Sequence, residues 1–211
     1  MKALNLYAGI GGNRKLWEDV EVTAVEWDEE TANVYMDYFP NDTMIVGDAH
    51  QYLLDHYKEF DFIWSSPPCP THSKIRLCGT HKGQNKAVYP DMKLYQEVLL
   101  LMYHSVKKQT WVIENVHPYY EPLIPYTSRL NRHIYWANFK ISGFTLDVNY
   151  DEVRNSISLL EDIIGIRVAG SGIDNKLKAL RNCVHPDLGL HILNAARNII
   201  TKSNTEQTAL F

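Results

Sequence analysis

Short apolar runs alternate with segments whose apolar residues recur at helical spacing through the first two thirds of the chain. Leu4 to Tyr7 reads as a first buried strand, followed by Ala8-Gly9-Ile10-Gly11-Gly12 and a short amphipathic helix through Trp17. Val22 to Glu26 reads as a strand and Asp28 to Tyr38 as a helix; Met44 to Val46 and His50 to Tyr57 repeat the pair. Phe60 to Trp64 reads as a fourth strand. Leu94, Val98, Leu101, Met102 and Ser105 keep one face of a helix over Asp91 to Lys107. Thr110 to Ile113 and Ile134 to Phe139 read as the last strands, with helical stretches over Glu152–Ile164 and His185–Thr201. Strands that alternate with helices in this way predict an α/β fold. Its doubly wound, mostly parallel sheet is covered on both faces.

Composition narrows the picture. The chain has 211 residues, 45% hydrophobic and 22% charged, which suits one soluble catalytic domain over residues 1–202. No apolar run approaches the roughly 20 residues of a membrane span. The opening Met1-Lys2-Ala3-Leu4 runs straight into a strand, which predicts a chain without a signal peptide. The 3 cysteines have unrelated spacings, giving neither a disulfide framework nor a zinc pattern. A reducing, cytoplasmic compartment and no metal are the expectations. The net charge of −4 leaves any polyanion binding to a local patch.

The candidate chemistry lies at strand ends. Cys69 stands in Ser65-Ser66-Pro67-Pro68-Cys69-Pro70, directly after the fourth strand. Proline locks φ and restrains the residue before it, so this mount is stiff. Most lone cysteines are merely small core residues. A second strand end carries Glu114-Asn115-Val116, and a thiol paired with a carboxylate suits covalent catalysis with acid assistance. Thr71 to Pro90 contains Lys74, Arg76, Lys82 and Lys86 but no Asp or Glu, and predicts a long, mobile, positive loop closing over a polyanion.

Earlier strand ends suit an adenosine-containing ligand. Gly9, Gly11 and Gly12 let the backbone approach it closely. Glu26 can accept ribose hydroxyls, Trp27 can lie against adenine, and Asp48 can accept the adenine amino group. Helix capping competes as an explanation for Asp28 and Asp48. No Walker lysine follows the first turn, which disfavours ATP hydrolysis.

In this order these segments resemble the cytosine-5 DNA methyltransferase family: Tyr7-Ala8-Gly9-Ile10-Gly11-Gly12, Glu26-Trp27, Gly47-Asp48, Pro67-Pro68-Cys69 and Glu114-Asn115-Val116. Arg132-His133-Ile134-Tyr135-Trp136 and Arg181-Asn182-Cys183-Val184-His185-Pro186 are similar to the family's later blocks. The resemblance implies a Rossmann-like class I methyltransferase fold and S-adenosylmethionine as cofactor. Tyr7, Ala8, Gly9, Gly11, Gly12, Glu26, Trp27, Asp48, Ala49, Pro67 and Asn182 would hold that cofactor. It further implies that Cys69 attacks cytosine C6 while Glu114 protonates or hydrogen-bonds N3, on a base flipped from the stack at a cost of roughly a few kcal/mol. Arg132 or Arg129 would contact the cytosine carbonyl.

The chain departs from the family at Pro70, where glutamine is usual, at the shifted Asn131-Arg132-His133, and at Arg181 in place of glycine. Where the family carries a long target-recognition region, only Lys140 to Val153 remains, with Asp147, Asp151 and Glu152. That predicts a short or relaxed DNA target. Gln207, Leu210 and Phe211 in a flexible tail, residues 203–211, resemble a pentapeptide that binds the bacterial sliding clamp, so DNA and the clamp are the expected partners. The alternatives are a tRNA-type RNA methyltransferase and a non-catalytic accessory subunit.

Overall fold

The computed structural model describes residues 1–148 and 150–197. The predicted clamp-binding residues Gln207, Leu210 and Phe211 lie outside the described residues. A seven-stranded sheet has the order β3-β2-β1-β4-β5-β7-β6. Its strands are β1 (Lys2–Leu6), β2 (Glu21–Glu26), β3 (Thr43–Val46), β4 (Phe62–Ser65), β5 (Thr110–Val116), β6 (Ser128–Leu130) and β7 (His133–Ala137). The first five pair in parallel, and β7 runs antiparallel between β5 and β6. This is the predicted Rossmann-like α/β fold.

Alternation along the strands divides two cores. Leu4, Leu6, Ile63, Trp111 and Ile113 face helices α2 (Ala49–His56) and α4 (Lys93–His104). Ala3, Ala24, Phe62, Trp64 and Val112 face α1 (Glu29–Tyr38) and the C-terminal helices. Asp28 caps α1 through Thr31, and Asp48 caps α2 through His50 and Gln51. Capping is therefore real at both positions. Helix α4 is shorter than the Asp91–Lys107 expected, because Ser105 leaves helical geometry. Leu94, Val98 and Leu101 are buried as predicted, but Met102 faces solvent at 42% exposure.

Two expectations are corrected. First, no helix follows the glycine turn. Residues 11–17 make successive three-residue turns, Arg14 N–H to the Gly11 carbonyl and Trp17 N–H to the Arg14 carbonyl among them. The space a helix would fill is taken by α8 (Pro186–Ala196), which arrives from the other end of the chain. Trp17 packs on Phe62 and Trp64 at 5.7 and 5.9 Å between ring centroids, and its indole N–H donates to the Gly189 carbonyl. Second, the basic segment after Cys69 is not all loop. It contains α3 (Lys74–His81), capped by Ser73, whose hydroxyl accepts from Ile75 N–H. The shortened recognition segment, for its part, is tied to the core. Ile141 is buried, the Phe144 ring stacks on His191 at 4.8 Å, and the His191 ring meets the Ser142 carbonyl.

The C-terminal third holds α5 (Tyr150–Val153), α6 (Ile157–Ile164), α7 (Lys176–Asn182) and α8. Pro186 at the first position of α8 and the His185 ring, which accepts from Asp187 N–H, start that helix. The sequence reading overlooked β6 and α7; both are short and lack a distinct period.

Helix α8 crosses the turn at Gly189, where an added Cβ would stand 2.2 Å from the Asn13 carbonyl oxygen. Helix propensity favours alanine over glycine by about 1 kcal/mol. The close approach opposes it, since overpacking costs about 1–3 kcal/mol and backbone cannot move aside as a side chain can. Gly189→Ala is therefore expected to lower the melting temperature in a thermal unfolding scan, not raise it.

Candidate active site

The parallel strands end together along one edge of the sheet, and the candidate residues collect there. Beyond β4, Pro67 is buried and its carbonyl accepts a 2.8 Å hydrogen bond from the Asn115 side-chain amide. The Asn115 oxygen accepts in turn from Val116 N–H at 2.9 Å. The turn before the cysteine is thereby clamped to the neighbouring strand end. Half-buried Cys69 follows, and its carbonyl accepts from His72 and Ser73 N–H.

Glu114 is 7% exposed on β5. Its orientation comes from a directed chain. The Trp64 indole N–H donates to the Ser66 hydroxyl at 2.8 Å, and Ser66 donates to Glu114 Oε2 at 2.9 Å. The other oxygen, Oε1, lies 3.5 Å from His133 Nε2. Burial holds His133 below the usual histidine pKa; the Glu114 charge opposes this and Arg132 adds to it. The ring is thus neutral at neutral pH and can donate to a carboxylate or accept from a carboxylic acid.

The charges bear on the thiol. Burial pushes the Cys69 pKa up, the Glu114 carboxylate pushes it further, and Arg132 and Lys178 pull it down. Arg132 also donates to the Arg181 carbonyl at 3.1 Å, which bridges β7 to the final block. Of the two candidate arginines, both exposed, Arg132 is the one whose charge lowers the Cys69 pKa, and Arg129 lies on the edge strand β6.

The predicted cofactor residues flank this centre. Glu26 at the end of β2 accepts from Gly9 N–H at 2.8 Å, Trp27 N–H at 2.8 Å and Asp28 N–H at 3.1 Å. It ties the glycine turn to the second strand end and keeps lone-pair capacity for a further donor. Trp27 is 74% exposed beside it, open to a stacking ring. Asp48 caps α2, and its second oxygen meets Lys93 Nζ at 3.4 Å. Burial raises the Asp48 pKa, but the His50 and Gln51 N–H groups and Lys93 together hold it below the ordinary value. Ala49 is buried behind it. Tyr7 and Ala8 lead into the glycines, and an added Cβ on Gly12 would stand 2.5 Å from the Val184 carbonyl. That approach brings the Asn182-Cys183-Val184 block against the turn, as the resemblance implied; Asn182 itself is exposed. An adenosyl ligand fits this edge, with an open aromatic face, a carboxylate with spare acceptor capacity and an exposed Asp48 oxygen. Among the described residues, no group of His, Cys, Asp and Glu could hold a metal ion.

The sequence of strand ends has a counterpart. Residues 1–120 match the family described as C-5 cytosine-specific DNA methylase. The chain belongs to that family. No curated protein matches it. Among solved structures, the methyltransferase EhMeth of Entamoeba histolytica is 10% identical, with a TM-score of 0.53 over 96% of this chain and 99% of the other. That likeness concerns the fold. A DNMT2 mutant from Spodoptera frugiperda is 24% identical over 55% of this chain and 35% of its own, with a TM-score of 0.37. A putative DNA modification methyltransferase from an E. coli prophage is 18% identical over 57% of this chain and 33% of its own, with a TM-score of 0.36. The match to the last two spans about a third of their length.

Within this methylase domain the predicted basic residues separate. Lys74, Lys82 and Lys86 are exposed. Arg76 is half-buried and donates to the Lys86 carbonyl at 3.0 Å, so it braces the segment. The sequence reading missed Ser66, Trp64, Lys178 and His133. Starting β7 at Ile134 placed His133 outside the strand. Strand parity puts His133 and Tyr135 on the Glu114 face.

Because Glu114 raises the Cys69 pKa, its neutralisation has a signed consequence. Iodoacetamide alkylation at Cys69, followed by peptide mass spectrometry, is expected to accelerate as pH rises toward and past the ordinary thiol pKa. In Glu114→Gln the same curve is expected to shift to lower pH, because the repelling charge is gone. An unshifted curve would place the two groups out of electrostatic reach.

Proposed function

We propose that this chain methylates C5 of cytosine in DNA by covalent catalysis through Cys69. One observation carries the reading: a half-buried thiol and a buried, doubly oriented carboxylate share one sheet edge, and the carboxylate's charge raises the thiol's pKa. S-adenosylmethionine, when bound, supplies the methyl group.

The electrostatics suggest which protonation state acts. A thiolate beside a carboxylate is opposed by like charge. With the proton on Glu114 instead, that repulsion vanishes and the acid needed at cytosine N3 is in place. Ser66 already donates to Oε2, so the proton belongs on Oε1, facing His133. The Cys69 sulfur then adds to C6 as the Glu114 proton moves toward N3, leaving electron density at C5. After C5 is methylated, its proton passes to water, the thiolate is expelled from C6 and the N3 proton returns to Glu114, which restores the aromatic ring and the enzyme. Arg132 supplies positive charge beside the sulfur and is suited to meet the cytosine carbonyl.

DNA is favoured as substrate by the family and by the exposed Lys74, Lys82 and Lys86 beyond the nucleophile. Phosphate contacts of this kind position a strand without reading its sequence. The segment from Lys140 onward is engaged with α8, which suits a short or relaxed target. Residues 207–211 extend the proposal to a bacterial sliding clamp as partner, tested by binding of a peptide covering residues 203–211. Cytoplasmic residence fits this partner. Among the described residues, no helix is long and apolar enough to cross a membrane.

Transfer of radiolabelled methyl to duplex DNA and, in parallel, to tRNA tests the substrate. Incorporation into DNA is expected, with a drop of at least about a thousandfold in Cys69→Ala, as removal of a covalent nucleophile requires. DNA carrying 5-fluorocytosine is expected to trap an adduct at Cys69, since fluorine cannot leave C5 as a proton does. Label in tRNA alone would move the substrate to RNA. Full activity in Cys69→Ala would overturn the mechanism. Replacing Lys74, Lys82 and Lys86 with glutamine is expected to flatten the salt dependence of DNA binding, by up to about 0.9 in log–log slope for each phosphate that is no longer neutralised.

A further inference from the structure

Glu97 carries a carboxylate that the catalytic centre does not use. It lies in the middle of α4 at 1% exposure, between the core residues Leu94 and Leu101. A carboxylate so placed is costly unless it is paired. It has three partners within hydrogen-bond reach. Tyr7 Oη donates to Oε1 at 2.6 Å, Ser65 Oγ donates to Oε2 at 2.6 Å, and His50 Nδ1 stands 2.9 Å from Oε1.

Those partners come from three separate walls of the cofactor edge. Tyr7 leads from β1 into the glycine turn. Ser65 ends β4, two residues before Pro67. His50 stands in the first turn of α2, two residues after Asp48. One helical turn before Glu97, Lys93 reaches the second oxygen of Asp48. Helix α4 thus grips α2 at two points and both central strand ends at one each. Tyr7 also has φ 55, a left-handed conformation that a bulky residue adopts only where its surroundings impose it. Burial and the Glu97 charge hold the Tyr7 hydroxyl far above the usual tyrosine pKa, so it remains a donor. The Glu97 hydrogen bond raises the His50 pKa, against the effect of burial.

We propose that Glu97 is a positioning residue of the cofactor pocket, its buried carboxylate holding the ends of β1, β4 and α2 at the spacing an adenosyl group requires. The proposal rests on the reading of S-adenosylmethionine as cofactor. Glu97 touches neither cofactor nor cytosine; it acts through Tyr7, Ser65 and His50. Glutamine there removes the charge that Tyr7 and His50 face and places an NH2 group where Ser65 now donates, so the Ser65 bond must reverse.

Calorimetric titration of the full chain with S-adenosylmethionine, paired with steady-state methyl transfer, tests this. Glu97→Gln is expected to raise the cofactor Kd and KM about tenfold, or about 1.4 kcal/mol, with kcat within about twofold of wild type. Tyr7→Phe and Ser65→Ala each remove one donor while leaving the carboxylate, and each is expected to raise Kd by a smaller factor. They carry the test where Glu97→Gln does not fold. A lowered melting temperature with unchanged Kd in the folded variants would make Glu97 merely structural and overturn the proposal. Equal decreases in kcat at unchanged KM would overturn it too. Wild-type chain that does not bind S-adenosylmethionine would remove the cofactor reading itself, a result distinguishable from any of these.

Discussion

The close approach of the C-terminal segment to the turn after β1 is the packing on which the rest depends. Two parallel neighbours, β1 and β2, normally need a helix to cover the crossover between them. Here residues 7–20 form turns, and α8 supplies the missing cover. The approach requires glycine on both surfaces, because the Val184 carbonyl crowds Gly12 and the Asn13 carbonyl crowds Gly189. Asn5 and Asn13 exchange buried amide hydrogen bonds beneath the crossing, at 3.3 and 2.7 Å. Without this packing, Trp17, Phe62 and Trp64 would be uncovered and the glycine turn unsupported. The fold's first and last segments therefore build one site.

Two buried carboxylates on this edge have been given different work by their partners. Glu114 meets one hydroxyl donor at Oε2 and the His133 ring at Oε1. Glu97 meets two hydroxyls and a histidine whose pKa is raised, so both of its oxygens are engaged. The same side chain thus stands among different partners in the two places, and the donor count separates them. His133 joins the first group because antiparallel pairing of β7 with β5 sets it beside Glu114.

Much of this was legible in the chain. Apolar runs such as Phe60 to Trp64 mark strands buried on both faces, and such strands belong to parallel sheets. Pro67-Pro68-Cys69 and Glu114-Asn115-Val116 marked the candidate pair, and both stand at neighbouring strand ends. The basic stretch after Cys69 misled. It lacks acidic residues, which read as a loop, yet Ser73 caps a helix through it. The predicted helix before Trp17 failed for another reason. Its amphipathic pattern is genuine, but the apolar residues pack as turns under a helix that arrives from 172 positions later, as the bond from Trp17 to Gly189 shows.

What the sequence determined alone was local. It set the strand periodicity, the caps at Asp28 and Asp48, the stiff cysteine mount and the family resemblance carried by short contiguous blocks. Those signals are written in neighbouring residues, since rotamers, φ limits and capping bonds act over a few positions. Only the tertiary structure decided that α8 replaces a helix, that the Arg132 charge bears on the thiol, and that His133 and Ser66 share Glu114. It also placed Glu97 under three pocket walls. Such facts depend on distances between residues far apart in the chain, and hydrophobic burial, which brings them together, carries no direction of its own. The direction comes from the packing of particular side chains, and that exists only in the folded molecule.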